Sequence, residues 1–235
     1  MEELQLIFVP GPGIGHIVSA IEVKEASSDS QTESKLPQIQ AVVHVARQRP
    51  LIREALLGIT ATGARVVGFV VDMFCLTMTE VADEFSIPAY LYFTSDASFL
   101  SFTMFMQRLT DEHHVDITEF RDSNEKLPVP GFFNLVPATV MPSILLDKDG
   151  GSAIVMSSAR LIRKTRGIFI NTFQELEPNI ILSTDDQLPP VYAVGPLLSF
   201  QTLVESEFSD VIEFLDQQPR KSVGFLCFGS LGSFT

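Results

Sequence analysis

The chain has 235 residues, of which 46% are hydrophobic and 19% are charged, a composition typical of globular proteins rather than disordered ones. Its 29 acidic and 16 basic residues give a formal net charge of −13. Because nucleic-acid binding requires a basic face, this charge argues against a nucleic-acid partner.

Short apolar runs predict the strands. In chain order they are Leu4–Val9, Val66–Val71, Ala89–Phe93, Gly167–Ile170, Val191–Val194 and Val223–Phe228. Since these runs are nearly continuous rather than alternating, they are typical of a parallel sheet that helices cover on both faces.

Helical patterns separate these runs. They extend over Pro50–Ala61, Leu76–Phe85, Asp96–Leu109, Ser152–Arg166 and Val204–Gln218. Gly167 is the expected C-cap of the helix before it, Ile17–Ala26 is compatible with a short helix, and Leu36–Arg47 fits either a strand or a helix. The alternation of strands and helices predicts an α/β fold with a doubly wound, Rossmann-like parallel sheet.

The segment Asp122–Gly151 is a long connection, rich in proline and glycine but also containing apolar side chains. Loops of this length are usually functional, so we expect it to pack over a site.

The cysteines and the hydropathy pattern indicate the compartment. Cys75 and Cys227 lie in separate apolar runs, which fits two reduced thiols better than a disulfide framework or a metal site. The run Leu4–Val9 is too short for a signal peptide, and no stretch reaches the ~20 apolar residues of a membrane span. We therefore expect a cytoplasmic protein with no metal and no membrane partner.

Polar residues follow the predicted strands at their carboxyl ends. The glycine-rich run Pro10–His16 follows the first strand, and Asp72 follows the second. Thr94 follows the third, Asn171 the fourth and Ser230 the last. Ligands of parallel α/β sheets bind beyond these ends, so we expect the side chains to gather on one rim of the sheet.

The glycine-rich run does not fit a dinucleotide site. Gly11, Gly13 and Gly15 lack the G-x-G-x-x-G spacing, and no acidic residue follows at the usual distance. The run disfavours a Rossmann oxidoreductase but permits a tight turn that a ligand approaches closely.

His16 and Asp72 form a candidate catalytic pair. An imidazole with a pKa near ~6.5 accepts a proton at neutral pH, and a carboxylate on another strand end would orient it. The alternative is a histidine at a helix start and an unrelated aspartate that caps a turn. A serine-hydrolase triad is disfavoured because 228–232 lacks the G-x-S-x-G spacing, and His113 and His114 are expected on the surface.

Eight segments resemble the plant family of UDP-dependent glycosyltransferases that modify small metabolites. They are Phe8–His16, Val70–Phe74, Glu84–Ser95, Leu127–Phe132, Gly167–Pro178, Pro189–Leu198, Phe214–Pro219 and Ser222–Phe234. The resemblance implies the N-terminal half of a two-domain GT-B fold. It places an acceptor-binding Rossmann-like domain over 1–194, a linker and helix over 195–221, and the start of a truncated donor-binding domain over 222–235.

The resemblance also implies a reaction. In the family, the histidine at the position of His16 is the general base that removes a proton from an acceptor hydroxyl. That hydroxyl attacks the sugar as UDP leaves, with inversion of configuration, and Asp72 matches the supporting aspartate. The implied substrates are a UDP-sugar, with glucose as the expected sugar, and a phenolic or flavonoid-type acceptor of secondary metabolism. No cofactor or metal is implied.

Binding residues follow from the same resemblance. Thr94 and Ser230 match positions that face the donor, and Gly15, His16 and Phe99 are expected to bind the acceptor. Phe99, Phe102 and the 131–142 loop would line an acceptor pocket, and the alternative for them is an ordinary core.

Two departures from the family pattern leave two functional hypotheses open. The chain ends at Thr235 without the family's long donor-binding signature and contains no Trp. The segment 17–65 is shorter than in intact relatives by several tens of residues, so we expect a shortened first crossover and a sheet that lacks one or two strands. The chain is either a glycosyltransferase whose C-terminal domain comes from a longer product or another chain, or a non-catalytic product that at most binds an apolar small molecule.

Overall fold

The computed structural model describes residues 4–11, 37–182, 187–195, 209–224 and 226. The chain divides into two compact units, Met1–Pro196 and Leu197–Thr235.

The first unit contains a sheet of five parallel strands, which lie side by side in chain order. They are β1 (Leu4–Val9), β2 (Arg65–Asp72), β3 (Ala89–Phe93), β4 (Ile168–Ile170) and β5 (Val191–Ala193). In register, Val71 of β2 pairs with Val9 on one side and with Leu91 on the other. The predicted parallel α/β sheet is confirmed, with the predicted bounds at β1 and β3.

Seven α-helices are described. They are α1 (Pro37–Arg47), α2 (Arg49–Ala61), α3 (Thr79–Glu84), α4 (Ala97–Asp111), α5 (Gly151–Ile162), α6 (Pro178–Leu182) and, in the second unit, α7 (Ser209–Asp216). The ambiguous segment Leu36–Arg47 is therefore helical from Pro37 onward. Asp96 caps α4, because its carboxylate accepts a hydrogen bond from the amide of Phe99 at 2.7 Å.

The prediction of a single helix over Leu76–Phe85 is wrong. The chain instead forms a 3-10 helix over Met73–Met78 and then the short α3. The cause is Asp72, whose side chain accepts a hydrogen bond from the Phe74 amide and starts a tight turn three residues before the predicted helix.

The prediction that Gly167 is a helix C-cap is also wrong. Helix α5 ends at Ile162, whose carbonyl accepts hydrogen bonds from both the amide and the hydroxyl of Thr165. At Gly167 a Cβ would lie 3.2 Å from Tyr192 and 3.3 Å from Tyr90. The close approach of two aromatic rings to the start of β4 favours glycine at this position, whereas the helix ends five residues earlier.

Alternate residues of the central strands bury one face of the sheet under the helices. Side chains that are at most 1% exposed are Phe69, Val71, Leu91, Phe93, Ile168 and Ile170. A second core lies beneath the long connection and joins Phe102 and Met106 of α4 to Phe120, Leu127 and Met141. The connection is therefore packed, as its apolar residues predict. Within the connection, Lys126–Leu127 forms a short antiparallel pair with Val136–Pro137, and Ala138–Val140 forms a 3-10 helix. Another 3-10 helix, Ile117–Asp122, lies at its start.

At the edge of the described sheet, β1 pairs with β2, and Leu4 and Leu6 are 60% and 64% exposed. Most of the crossover that follows β1 lies outside the described residues, as does the candidate helix Ile17–Ala26. The predicted shortening of this crossover stays a prediction.

The second unit is described as α7 and the residues after it. Helix α7 forms the described part of the predicted helix Val204–Gln218, and its Ile212 and Phe214 are exposed. The predicted strand Val223–Phe228 is not formed at Val223, Gly224 or Leu226, and its other residues lie outside the description. A strand forms through hydrogen bonds to a neighbouring strand, and the described part of this unit contains none.

Candidate functional site

Asp72 is the charged residue that the sheet places at its rim. It ends β2 opposite Tyr92 of β3, is 1% exposed, and its Oδ1 accepts a hydrogen bond from the amide of Phe74 at 2.9 Å. A buried carboxylate must be stabilised by hydrogen bonds or by an opposite charge. The turn after β2 therefore fixes Asp72 at the carboxyl end of the sheet, where ligands of this fold class bind.

The end of β1 is tied to the same turn. The thiol of Cys75 donates to the carbonyl oxygen of Pro10 across 3.2 Å, and Gly11 is buried beside it. The glycine-rich run thus leaves β1 next to the loop that follows Asp72. A contact between the glycine-rich run and Asp72 requires that these two segments lie close together in this way.

Burial and the charge of Asp72 suppress ionisation of two neighbours. Burial first, and the Asp72 carboxylate second, raise the pKa of the Cys75 thiol to about 12. The same two causes raise the pKa of the Tyr92 hydroxyl. Cys75 therefore stays protonated at neutral pH and acts as a hydrogen-bond donor rather than a nucleophile, which agrees with the expected reduced thiol.

An apolar cavity of about 250 Å³ lies beside the Asp72 turn. Met73 and Phe74 contribute one wall, Phe93 at the end of β3 another, and Phe99 on α4 a third. The rings of Phe93 and Phe99 are 6.1 Å apart. Of the aromatic residues predicted to line a pocket, Phe99 lines this cavity, whereas Phe102 lies in the second core.

The 131–142 loop borders a different hollow. Residues 131–137 and 176–180, together with Ser98 near the start of α4, surround about 400 Å³. The loop thus packs over a cavity, as predicted, but not over the one that Phe99 and the Asp72 turn share.

Glu177 holds the start of α4 in place and lines this second hollow. Its carboxylate accepts hydrogen bonds from the amides of Ala97 and Ser98 at 2.9 Å each, from the Ser98 hydroxyl, and from the Thr172 hydroxyl at 2.6 Å. Burial acts to raise the pKa of Glu177, but these hydrogen bonds outweigh it and leave the pKa below its usual value. Sequence reasoning assigned no role to Glu177. The signal available was an acidic residue a few positions after a strand end, directly before Pro178.

Comparison with known proteins identifies the fold. No family model matches the chain. It is 37% identical to UDP-glycosyltransferase 71A15 of Malus domestica and 37% identical to UDP-glucose flavonoid 3-O-glucosyltransferase 6 of Fragaria ananassa, each over 98% of this chain and 60% of the relative. The chain is a homologue of the plant UDP-glycosyltransferases.

Solved glycosyltransferase structures give the same result. A transferase from Siraitia grosvenorii in complex with UDP matches 99% of this chain and 60% of its own, with a TM-score of 0.82 and 34% identity. Medicago truncatula UGT71G1 complexed with UDP-glucose matches 100% of this chain and 61% of its own, with a TM-score of 0.81 and 32% identity. The parallel sheet is thus part of a GT-B fold, and the chain spans about 60% of the length of these relatives.

The relatives also contain extra residues inside the matched region. The match to the Malus domestica protein extends over 282 residues, more than the 235 of this chain. This agrees with a shortened segment, although the position of the difference between residues 17 and 65 stays a prediction.

The structure places three of the six site residues that the glycosyltransferase resemblance indicates. Asp72 is buried at the rim, Thr94 follows Phe93 and is half-buried, and Phe99 lines the cavity. The other three, Gly15, His16 and Ser230, lie outside the described residues. The pairing of His16 with Asp72 therefore stays a prediction.

His113 and His114 are exposed, as expected. Within the described part of the chain, no three His, Cys, Asp or Glu residues are grouped as metal ligands would be, and none of the helices there combines the length and hydropathy of a membrane-spanning segment.

Proposed function

We propose that this chain is the acceptor-binding part of an inverting UDP-glycosyltransferase. Its acceptor is a small phenolic or flavonoid-type metabolite, and its donor is a UDP-sugar, with glucose as the sugar. The observation that carries this proposal is an apolar, aromatic-lined cavity bordered by Met73 and Phe74, the two residues that follow the buried carboxylate of Asp72 at the carboxyl end of the sheet. The names of the flavonoid glucosyltransferase relatives support the choice of donor and acceptor.

In the proposed reaction, His16 is the general base and Asp72 its supporting carboxylate. The imidazole takes the proton of the acceptor hydroxyl, whose oxygen forms a bond to the anomeric carbon while the bond from that carbon to UDP breaks. UDP leaves with the bonding electron pair. Asp72 would stabilise the imidazolium and hold the ring in one orientation, and base catalysis of this kind contributes ~10²–10⁴-fold.

Gly15 and Phe99 would contact the acceptor, and Thr94 and Ser230 would face the donor. Thr94 is suited to this role because it follows β3 directly at the rim that carries Asp72. The role of Ser230 rests on the resemblance to the family alone.

The 60% coverage of the relatives supports the proposed domain organisation. We assign acceptor binding to 1–194, a linker and helix to 195–221, and the start of a donor-binding domain to 222–235. Catalysis then requires the remainder of the donor domain, from a longer product or from a second chain. We propose a cytoplasmic location, consistent with the absence of a membrane-spanning helix from the described residues.

The same coverage favours a second candidate, a non-catalytic protein that binds an apolar small molecule in the cavity. Release of UDP from UDP-glucose in the presence of a phenol separates the two. The variants are His16→Ala and, as a matched control, His113→Ala, which removes an exposed histidine.

When the longer product or a second chain supplies the rest of the donor domain, the enzyme proposal predicts turnover that falls at least a hundredfold in His16→Ala and persists in His113→Ala. UDP release no faster than in buffer under those conditions would refute the enzyme proposal and leave the binding candidate. Calorimetry with UDP alone tests the donor site, since tight binding would contradict an incomplete one.

A further inference from the structure

Thr103 carries a buried hydroxyl that the protein does not satisfy. The residue lies in α4 and is 5% exposed. Its Oγ1 has no hydrogen-bond partner among the residues that the structure describes. A buried hydroxyl without a partner costs free energy, so such a group calls for an explanation.

Other threonines in the described helices avoid this cost. Thr110, two turns further along the same helix, donates to the carbonyl of Met106 at 3.1 Å, and Thr60 in α2 donates to the carbonyl of Leu56 at 2.9 Å. This bond to the carbonyl four residues earlier is the usual solution for a helical threonine. Thr103 does not make it, so its hydroxyl is left for a partner outside the helix.

The place where a partner fits is the cavity beside Asp72. Thr103 lines it, together with Met73, Phe74, Phe93 and Phe99. Apart from Thr103 and Ser158, the residues that line the cavity are apolar. A mostly apolar pocket with one or two polar groups is the usual design of a small-molecule site, in which the polar groups set the orientation of the ligand.

The position of Thr103 along α4 indicates which ligand atom it would meet. Helix α4 begins just after the rim of the sheet and carries Phe99 on its first turn. Thr103 follows one turn later, about 6 Å further along the helix. An acceptor whose reacting hydroxyl lies at the rim would therefore present a second oxygen, on the far side of its ring system, to Thr103.

We propose that Thr103 is a specificity-determining residue of the acceptor pocket, whose hydroxyl hydrogen-bonds a second oxygen of an aromatic acceptor. This inference rests on the proposed function for the identity of the ligand as an acceptor. It names a narrower class, namely planar aromatics with oxygen substituents at opposite ends.

The test is equilibrium binding of two matched naphthalenes to the full chain. The probes are 2,6-dihydroxynaphthalene and 2-hydroxy-6-methylnaphthalene, which differ by one hydroxyl in place of a methyl group. The chain has no Trp, so the fluorescence of the naphthalene is measured without tryptophan emission. Thr103→Val removes the hydroxyl at nearly constant volume, Thr103→Ser retains it, and Thr110→Val is the control that removes a hydroxyl already bonded within the helix.

We expect wild type to bind the diol about tenfold more tightly than the methyl analogue. Thr103→Val should lose this preference, and Thr103→Ser and Thr110→Val should keep it. Thr103→Val should also melt no lower than wild type, since it removes an unsatisfied group, whereas Thr110→Val should melt lower.

Three results would overturn the inference: no preference in wild type, an unchanged preference in Thr103→Val, or no binding of either naphthalene. The wild-type preference is measured without any variant, and Thr103→Ala, which also removes the hydroxyl, takes the place of Thr103→Val if that variant misfolds. Binding needs no UDP-sugar, which separates the two proposals. With the rest of the donor domain supplied, a Thr103-dependent preference without UDP release refutes the proposed function and leaves Thr103 in a small-molecule site. UDP release without the preference refutes only this inference.

Discussion

Glu177 offers the sharpest test of how the site is held together, because one carboxylate bonds the start of α4 to the loop after β4. Replacing it by alanine removes two bonds from backbone amides and two from hydroxyls. Loss of a helix cap costs ~1 kcal/mol and each further hydrogen bond ~1 kcal/mol. The residue is only half-buried, and water would replace part of what is lost. We therefore expect Glu177→Ala to lower the free energy of unfolding by about 2 kcal/mol.

Urea denaturation followed by circular dichroism measures this change as a shift of the midpoint at constant slope. The matched control is Glu175→Ala, which removes an exposed carboxylate two residues away and should change stability by less than about 0.5 kcal/mol. Equal effects of the two substitutions would refute the role assigned to Glu177.

The dependence of stability on pH in the acid range tests the role of Glu177 a second time. The hydrogen bonds hold the pKa of Glu177 below its usual value, so its contribution is present above the unfolded pKa of ~4.3 and is lost as the pH falls through the folded pKa. The stability difference between wild type and Glu177→Ala should therefore shrink below about pH 4. A difference that is independent of pH would show that the ionised carboxylate is not responsible.

Three further predictions concern the scaffold. Hydrogen bonding from Arg160 holds the pKa of Asp111 at about 2. Asp111→Asn should therefore reduce the free energy of unfolding by at most ~1 kcal/mol at neutral pH, and this difference from wild type should vanish as the pH falls from about 4 to about 2. Urea midpoints that differ by the same amount at every pH would contradict this. Gly58→Ala should stabilise the chain by about 0.5–1 kcal/mol, because a Cβ at this helical position meets nothing within 4 Å. Gly151→Ala should destabilise the chain, because a Cβ there would lie 2.6 Å from the carbonyl oxygen of Ile144. A higher melting temperature for Gly151→Ala than for Gly58→Ala would contradict this packing. In a Cys227→Ser background, Cys75 should react with a thiol reagent only on unfolding, since it is 1% exposed and its pKa is about 12; rapid labelling of the native chain in the absence of urea would contradict that placement.

The strands were predictable because their signal is local. Runs such as Leu4–Val9 and Ala89–Phe93 are mostly apolar and end at proline or a polar residue, so their bounds follow from the runs themselves. The position of Asp72 at a strand end followed from the same pattern. The resemblance to glycosyltransferases added the expected roles of the rim residues.

The remaining features depend on partners distant in sequence. Glu177 bonds to Ala97 and Ser98, about 80 positions earlier, and no local pattern indicates such a contact. Phe99 and Phe102 are three residues apart on one helix, and only the packing of the long connection decides that Phe99 lines the cavity while Phe102 enters a core. The same holds for Thr103, whose missing hydrogen bond becomes visible only in three dimensions.

The central claim is that the imidazole of His16 meets the carboxylate of Asp72. An NMR pH titration of His16 in wild type and in Asp72→Asn tests it directly, with His16→Ala to assign the signal. A neighbouring carboxylate raises a histidine pKa by about one unit or more, so the account predicts that the pKa of His16 falls by at least about one unit in Asp72→Asn. The same His16 pKa in both proteins would contradict the pairing.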